Sequence, residues 1–241
     1  VATGQEIKDG QNVWQSIGGQ TVGSIWGHGA YIAPDWNADF LHRESLLLLQ
    51  EYAKKEGKVY ANLPKEEQAK YEVLIRKELR ENTLNESTNE IVISPERAFV
   101  HQQLADHYRK LFMDDPSYDV LREQYAIKLS SVKDADRMKL MNSFFVWSSW
   151  VCITNRPGDT VSYTNNWPHD PLIGNTPPAS LHFWSGFSVL LLLVGVGLLV
   201  LYYAKNKEDE MAEVLPAEDP LRHLVVTPSM KATLKYIWIV G

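Results

Sequence analysis

The chain has one cysteine, Cys152, in 241 residues. A lone thiol cannot form an internal disulfide, a four-cysteine zinc site or a CxxC redox pair. Nor can it form CxxCH, the attachment site of a c-type haem. HExxH, GxSxG, the phosphate-binding P-loop and GxGxxG are missing too, so no catalytic motif stands out. No basic tract is present, and 24 Lys plus Arg face 30 Asp plus Glu for a net charge of −6. Nucleic acid is therefore not an expected partner. Apolar residues at 44% and charged residues at 22% exclude a disordered or collagen-like chain.

Charge is missing most conspicuously from one place. Phe183 to Ala204 is 22 residues without Asp, Glu, Lys, Arg or His, and 17 of them are apolar. As a helix the run spans roughly 33 Å, about the hydrocarbon thickness of a bilayer. Trp167, Phe183 and Trp184 flank one end and Tyr202 and Tyr203 the other, as interfacial aromatics do. A buried soluble helix rarely runs six turns without a polar stripe. The run lies too late in the chain for a signal peptide. Thr160 to His182 holds no Lys or Arg, whereas Lys205, Lys207, Arg222, Lys231 and Lys235 follow the run. The positive-inside bias then puts residues 1–178 outside the cytoplasmic membrane. It makes 179–204 a transmembrane helix and 205–234 a cytoplasmic loop, in which Glu208, Asp209 and Glu210 form a solvated face. A second apolar run opens at Tyr236 behind Thr227-Pro228-Ser229, a helix-start pattern. Residues 235–241 are expected to begin another membrane helix. With Val at position 1 and an apolar run rising at the other end, the sequence is expected to be part of a longer, multi-pass protein.

The outer segment reads as mostly helical. Residues 1–36, with Gly18, Gly19, Gly23, Gly27 and Gly29 among dense aromatics, predict a short helix and turns. Asn37 or Asp39 is the expected cap of a helix to about Glu56, with Phe40, Leu41, Leu47, Leu48 and Tyr52 inward and Gly57 just past its end. Pro64 opens a helix over 64–81 that points Tyr71, Leu74, Ile75 and Leu79 to one side. Ser94-Pro95 opens one over 95–113 with Leu104, Tyr108, Leu111 and Phe112 inward, ending near Asp115-Pro116. Val132 to Trp150 reads as a fourth helix and 154–178 as a loop.

Candidate chemistry is sparse. His101 and His107, six apart, do not share a helix face and make a poor joint metal site. In His42-Arg43-Glu44, pairing of Glu44 with Arg43, or capping of a neighbour by Glu44, is the expected role. His182 reads as interfacial. Two segments exceed plain scaffolding. One runs Asn12-Val-Trp-Gln-Ser-Ile-Gly-Gly-Gln20 and Gly23-Ser-Ile-Trp-Gly-His-Gly-Ala-Tyr-Ile-Ala-Pro-Asp-Trp36, on through Asp39-Phe-Leu-His-Arg-Glu44. The other is Asn166-Trp-Pro-His-Asp-Pro-Leu-Ile-Gly-Asn175. Dense Gly and Trp, with His28 between glycines, imply backbone packed against a rigid partner; a tightly turned core is the competing reading.

Those segments resemble the N-terminal region of quinol-dependent, single-chain bacterial nitric oxide reductases, relatives of the haem–copper oxidases. The resemblance spans the chain, from after the family's first membrane helix to the start of its third. It implies a mostly α fold, in which a cytochrome-c-like outer domain without haem precedes one complete transmembrane helix and the start of another. The implied reaction reduces two NO to N2O and water with electrons from a membrane quinol. Haem b, a high-spin haem b and a non-haem iron would carry it, on ligands beyond Gly241. This segment would then be structural, with no catalytic residues of its own. Its partners would be the membrane-embedded catalytic part, lipid, and the quinol and NO used by the whole. The resemblance also implies a calcium ion, held through the backbone carbonyls of Gly29 and Tyr31 near the haem propionates. A membrane-anchored binding or assembly module without enzymatic activity is the alternative. An electron-transfer cytochrome is opposed by the missing haem motif.

Overall fold

The computed structural model describes residues 2–27, 29–88, 90–212 and 227–240. It divides into two compact units, Val1–Pro178 and Ala179–Gly241.

The first unit is built from helices. Helix α1, Gly4–Ser16, begins with a reciprocal cap. The Thr3 hydroxyl accepts from the Glu6 amide at 3.2 Å, and the Glu6 carboxylate accepts from the Thr3 amide at 2.7 Å. Together they satisfy two otherwise open donors. Helix α2 is Trp36–Lys55, α3 is Lys65–Arg80, α4 is Pro95–Phe112, α5 is the short Asp119–Gln124, and α6 is Ala135–Ile153. A two-stranded antiparallel hairpin, β1 Leu84–Asn85 and β2 Glu90–Ile91, joins α3 to α4 with Leu84 opposite Ile91.

Helices α1 and α6 cross very closely, and Gly10 is the reason. A Cβ placed there would stand 2.0 Å from the Leu140 carbonyl oxygen and 2.9 Å from the Phe144 Cβ. Only a residue without a side chain allows that approach. Helices α2, α4 and α6 enclose the interior, whose centre is Trp36, with no exposed surface. Its ring stacks on Phe145 at 6.1 Å and meets Phe112 edge-on at 5.1 Å and Tyr108 at 6.2 Å. Its indole N–H donates to the Val22 carbonyl at 2.7 Å, so the buried polar atom is satisfied.

Several boundaries differ from those read off the sequence. The cap of α2 is Asp35, not Asn37 or Asp39: its carboxylate accepts from the Asn37 and Ala38 amides at 3.0 Å each. Pro34 fixes the chain just before it, so the helix starts earlier. Asn37 is instead buried and turns its amide to the Ser148 hydroxyl, at 2.8 Å. Leu74 is 43% exposed, while Tyr71, Ile75 and Leu79 are buried. On α2, Leu49 joins Phe40, Leu41 and Leu48 in the core. Helix α6 starts later than Val132, behind a cap at Asp134, and continues past Trp150. Val132 is buried ahead of it, its amide bonded to the Phe112 carbonyl at 3.1 Å.

The second unit holds α7, Ala179–Ala212, and α8, Pro228–Val240. Within α7, Ala179–Asn206 is long and apolar enough to cross a membrane, and its apolar side chains stand exposed. The helix extends through Glu208, Asp209 and Glu210, which the charge pattern had placed in a loop. Lysine, glutamate, methionine and alanine all favour helix, so loss of hydrophobicity does not end it. Helix α8 begins at Pro228, before the apolar run, with the Thr227 hydroxyl accepting from the Met230 amide at 3.3 Å. The part of the expected loop over 213–226 lies outside the described residues.

Candidate functional site

The stretch Ser24–Asn37 folds back on itself ahead of α2. The Ser24 amide donates to the Pro34 carbonyl at 3.2 Å and the Trp36 amide to the Ser24 carbonyl at 2.9 Å. Within this clasp the Ala30 amide closes a small turn onto the Ala33 carbonyl at 3.0 Å. Trp26 adopts φ 54°, a left-handed conformation that is rare for a large side chain. Three bonds hold its surroundings: the Trp26 amide to Asn37 Oδ1 at 3.0 Å, the Trp26 indole to the Ser148 carbonyl at 2.9 Å, and the Gly27 amide to Asp35 Oδ2 at 2.8 Å. Gly29 has φ 89°, and a Cβ there would meet the Ala33 carbonyl at 2.9 Å. The Tyr31 side chain is fully exposed and Ile32 largely so. His28 lies outside the described residues.

Among the described residues, no hydrogen bond accepts at the Gly29 or Tyr31 carbonyl. Both Asp35 oxygens are already occupied by internal donors. The turn therefore offers main-chain oxygens to a hard cation, without a free carboxylate. Calcium takes six to eight oxygens, so two carbonyls fit such an ion but leave most of its ligands to come from elsewhere.

The second conspicuous segment, 166–175, is knitted to the helices. Asn175 Nδ2 donates to the Pro168 carbonyl at 2.7 Å, and its Oδ1 accepts the Asp170 amide at 2.8 Å. Arg76 and Arg80 of α3 donate to the carbonyls of Leu172 and Gly174, at 2.8 and 2.7 Å. His42 Nδ1 lies 3.0 Å from Asp170 Oδ2, so the two conspicuous segments meet at this pair.

The other sequence candidates have structural partners. Glu44 does not pair with Arg43, which bonds Asp39 at 2.9 Å instead. Glu44 is fully buried and accepts at one oxygen from Arg97, 2.7 Å, and His101, 2.6 Å. Burial pushes its carboxyl pKa up, but the adjacent Arg97 and His101 outweigh that and bring it down to about 2. Its second oxygen is buried and has no hydrogen-bond partner among the described residues. His107 sits apart from His101, with Nδ1 2.9 Å from the Tyr118 hydroxyl. Burial pulls its pKa down to about 4. Cys152 is buried on α6, its thiol donates to the Ser148 carbonyl at 3.0 Å, and burial pushes its pKa up. Among the described residues, no three His, Cys, Asp or Glu side chains are grouped to hold a metal.

A family model of the NorB cytochrome c-like domain of nitric oxide reductase matches residues 1–169. The chain belongs to that family. No curated protein matches it in a sequence search. The chain is thus the N-terminal region of a NorB-type reductase, an oxidoreductase component that is associated with a membrane. It is mostly α, with a cytochrome-c-like domain ahead of one candidate membrane helix. The family implies haem in the whole protein, but a covalent c-type haem does not fit the residues of this domain. Its sole thiol is sealed inside α6, and Trp36, Phe112, Tyr108 and Phe145 fill the interior between the helices.

Sequence reasoning found the Gly29–Tyr31 turn but not what shapes it. The cap was expected at Asn37 or Asp39 and is Asp35; the signal that marks it is an Asp after Pro34 at the opening of the apolar period. The Glu44–Arg97–His101 cluster joins residues 53 and 57 apart in sequence, a separation at which no local pattern carries a signal.

Proposed function

We propose that this chain is the outer, haem-less portion of a quinol-oxidising nitric oxide reductase, which reduces two NO to N2O and water. The observation that carries the reading is the aromatic filling of a cytochrome-c-like domain whose one cysteine is buried. A domain built this way cannot relay electrons through a covalent haem, so electrons reach the catalytic part from a membrane quinol. This unit serves as a scaffold. Residues 1–178 lie outside the cytoplasmic membrane, α7 spans it, and the chain continues as a multi-pass protein. The basic residues that follow the apolar run support that orientation.

Gly27–Trp36 forms the seam with the membrane-embedded catalytic part. Calcium binds there through the Gly29 and Tyr31 carbonyls and offsets negative charge on the haem edge. Open carbonyls on an exposed turn support this. The test is NO uptake by the full-length protein, with a reduced quinol or a reduced cytochrome c as donor. Uptake with quinol alone is expected. No uptake with either donor would favour a membrane-anchored assembly module.

A further inference from the structure

We infer that Ser24 and Asp35 are positioning residues that hold the Gly29–Tyr31 turn in the form that presents its carbonyls to calcium. The inference rests on the calcium reading above. Its basis is a directed chain of three groups. The Gly29 amide donates to Ser24 Oγ at 2.6 Å, and the Ser24 hydroxyl donates to Asp35 Oδ2 at 2.7 Å. A hydroxyl has one proton to give. With that proton on the carboxylate, its lone pairs are left to accept the Gly29 amide. The same Oδ2 takes the Gly27 amide at 2.8 Å. One oxygen therefore fixes the backbone on both sides of position 28.

Burial strengthens this linkage, for Ser24 is 4% and Asp35 6% exposed. Hydrogen bonds to an ionised acceptor are the stronger kind, and a low local dielectric strengthens them further. They hold Gly29 at φ 89°, where the Ala30 amide reaches Ala33 and the carbonyls at 29 and 31 stay uncommitted. Among the described residues, Asp35 forms no ion pair. Four N–H or O–H donors bond its carboxylate without neutralising it, so the loop carries a negative charge that favours a nearby cation.

The two jobs of Asp35 are separable. Oδ1 caps α2 and Oδ2 shapes the turn. Asp35→Asn keeps an oxygen for the cap but puts an amide where Ser24 and Gly27 need an acceptor. Ser24→Ala leaves the carboxylate and cap in place and removes the link to Gly29.

The test is calcium titration of the full-length, detergent-solubilised protein after chelation. The readouts are bound metal and the calcium-induced rise in unfolding temperature. Wild type should bind calcium, and both variants should bind about 10–100-fold more weakly, the usual effect of losing a group that orients a ligand. Without calcium both variants should lose some stability, because each leaves a buried amide without its acceptor, and the calcium-induced rise should shrink beyond that loss. If wild type binds and the variants bind equally well, the positioning role is wrong and the calcium site stands. If wild type binds no calcium, the calcium reading fails and this inference with it. A variant that loses stability equally with and without calcium, at unchanged affinity, marks the network as structural and overturns the inference.

Discussion

Glu44→Gln breaks a buried ion pair in the interior of the first unit. In the native chain the Glu44 carboxyl pKa is lowered from 4.5 to about 2 by Arg97 and His101, against the opposing effect of burial. A carboxylate with a depressed folded pKa contributes stability above its unfolded pKa and loses it as the pH falls toward the folded one. A depression of that size corresponds to a few kcal/mol at pH 7, on the order of half of which is left at pH 3. Gln removes the charge and leaves the Arg97 guanidinium, whose side chain is 4% exposed, buried without a counter-charge. Breaking a buried pair in this way costs about 3–5 kcal/mol. The variant should therefore be much less stable at pH 7, and the gap should narrow as the pH falls from about 5 to 3. Urea unfolding of the detergent-solubilised chain at several pH values, followed by tryptophan fluorescence, measures both quantities. A gap that stays constant from pH 7 to pH 3, or a variant as stable as wild type at pH 7, would show that the Glu44–Arg97 pair does not stabilise the fold in this way.

Gly10→Val should destabilise the first unit by about 1–3 kcal/mol or more, because the new Cβ would overlap the Leu140 carbonyl and force α1 off α6; thermal unfolding reports it. Trp36→Ala should cost about 3–5 kcal/mol through the cavity it leaves among Phe112, Tyr108 and Phe145, again read as a lower unfolding temperature. Cys152 should resist a thiol reagent in the native chain and react once it unfolds, since its thiol is buried and its pKa raised; labelling with and without urea decides. In intact cells, an impermeant thiol reagent should label a cysteine placed at Glu86 and spare one placed at Lys207. The opposite pattern reverses the proposed orientation.

The helices of the first unit were legible because their apolar residues recur at helical spacing between clear start signals. Ser94-Pro95 opens α4 as read, and Tyr71, Ile75 and Leu79 are buried as read. Leu74 was misjudged because a broad apolar stripe on a helix does not show where packing ends. The end of α7 was misplaced for a related reason: hydropathy marks a run fit for lipid, whereas helix persists through any good helix former. Glu44 was matched with its neighbour Arg43 because local pairs are the ones a sequence shows. The fold gave it Arg97 and His101 of α4. Of the candidate site, the glycines and tyrosine of the turn stood out in the sequence. The hydroxyl and carboxylate bonded to the Gly27 and Gly29 amides did not, since Ser24 and Asp35 meet only when the loop closes.

In the proposed function, a cytochrome-c-like domain serves a nitric oxide reductase without carrying a haem of its own. A pyridine haemochrome spectrum of the full-length protein, purified in a form that consumes NO with a quinol donor, tests it most directly. The spectrum should show b-type haem alone, with no haem remaining on the polypeptide after acid–acetone extraction. A c-type spectrum, or haem that stays covalently attached to the chain, would contradict it.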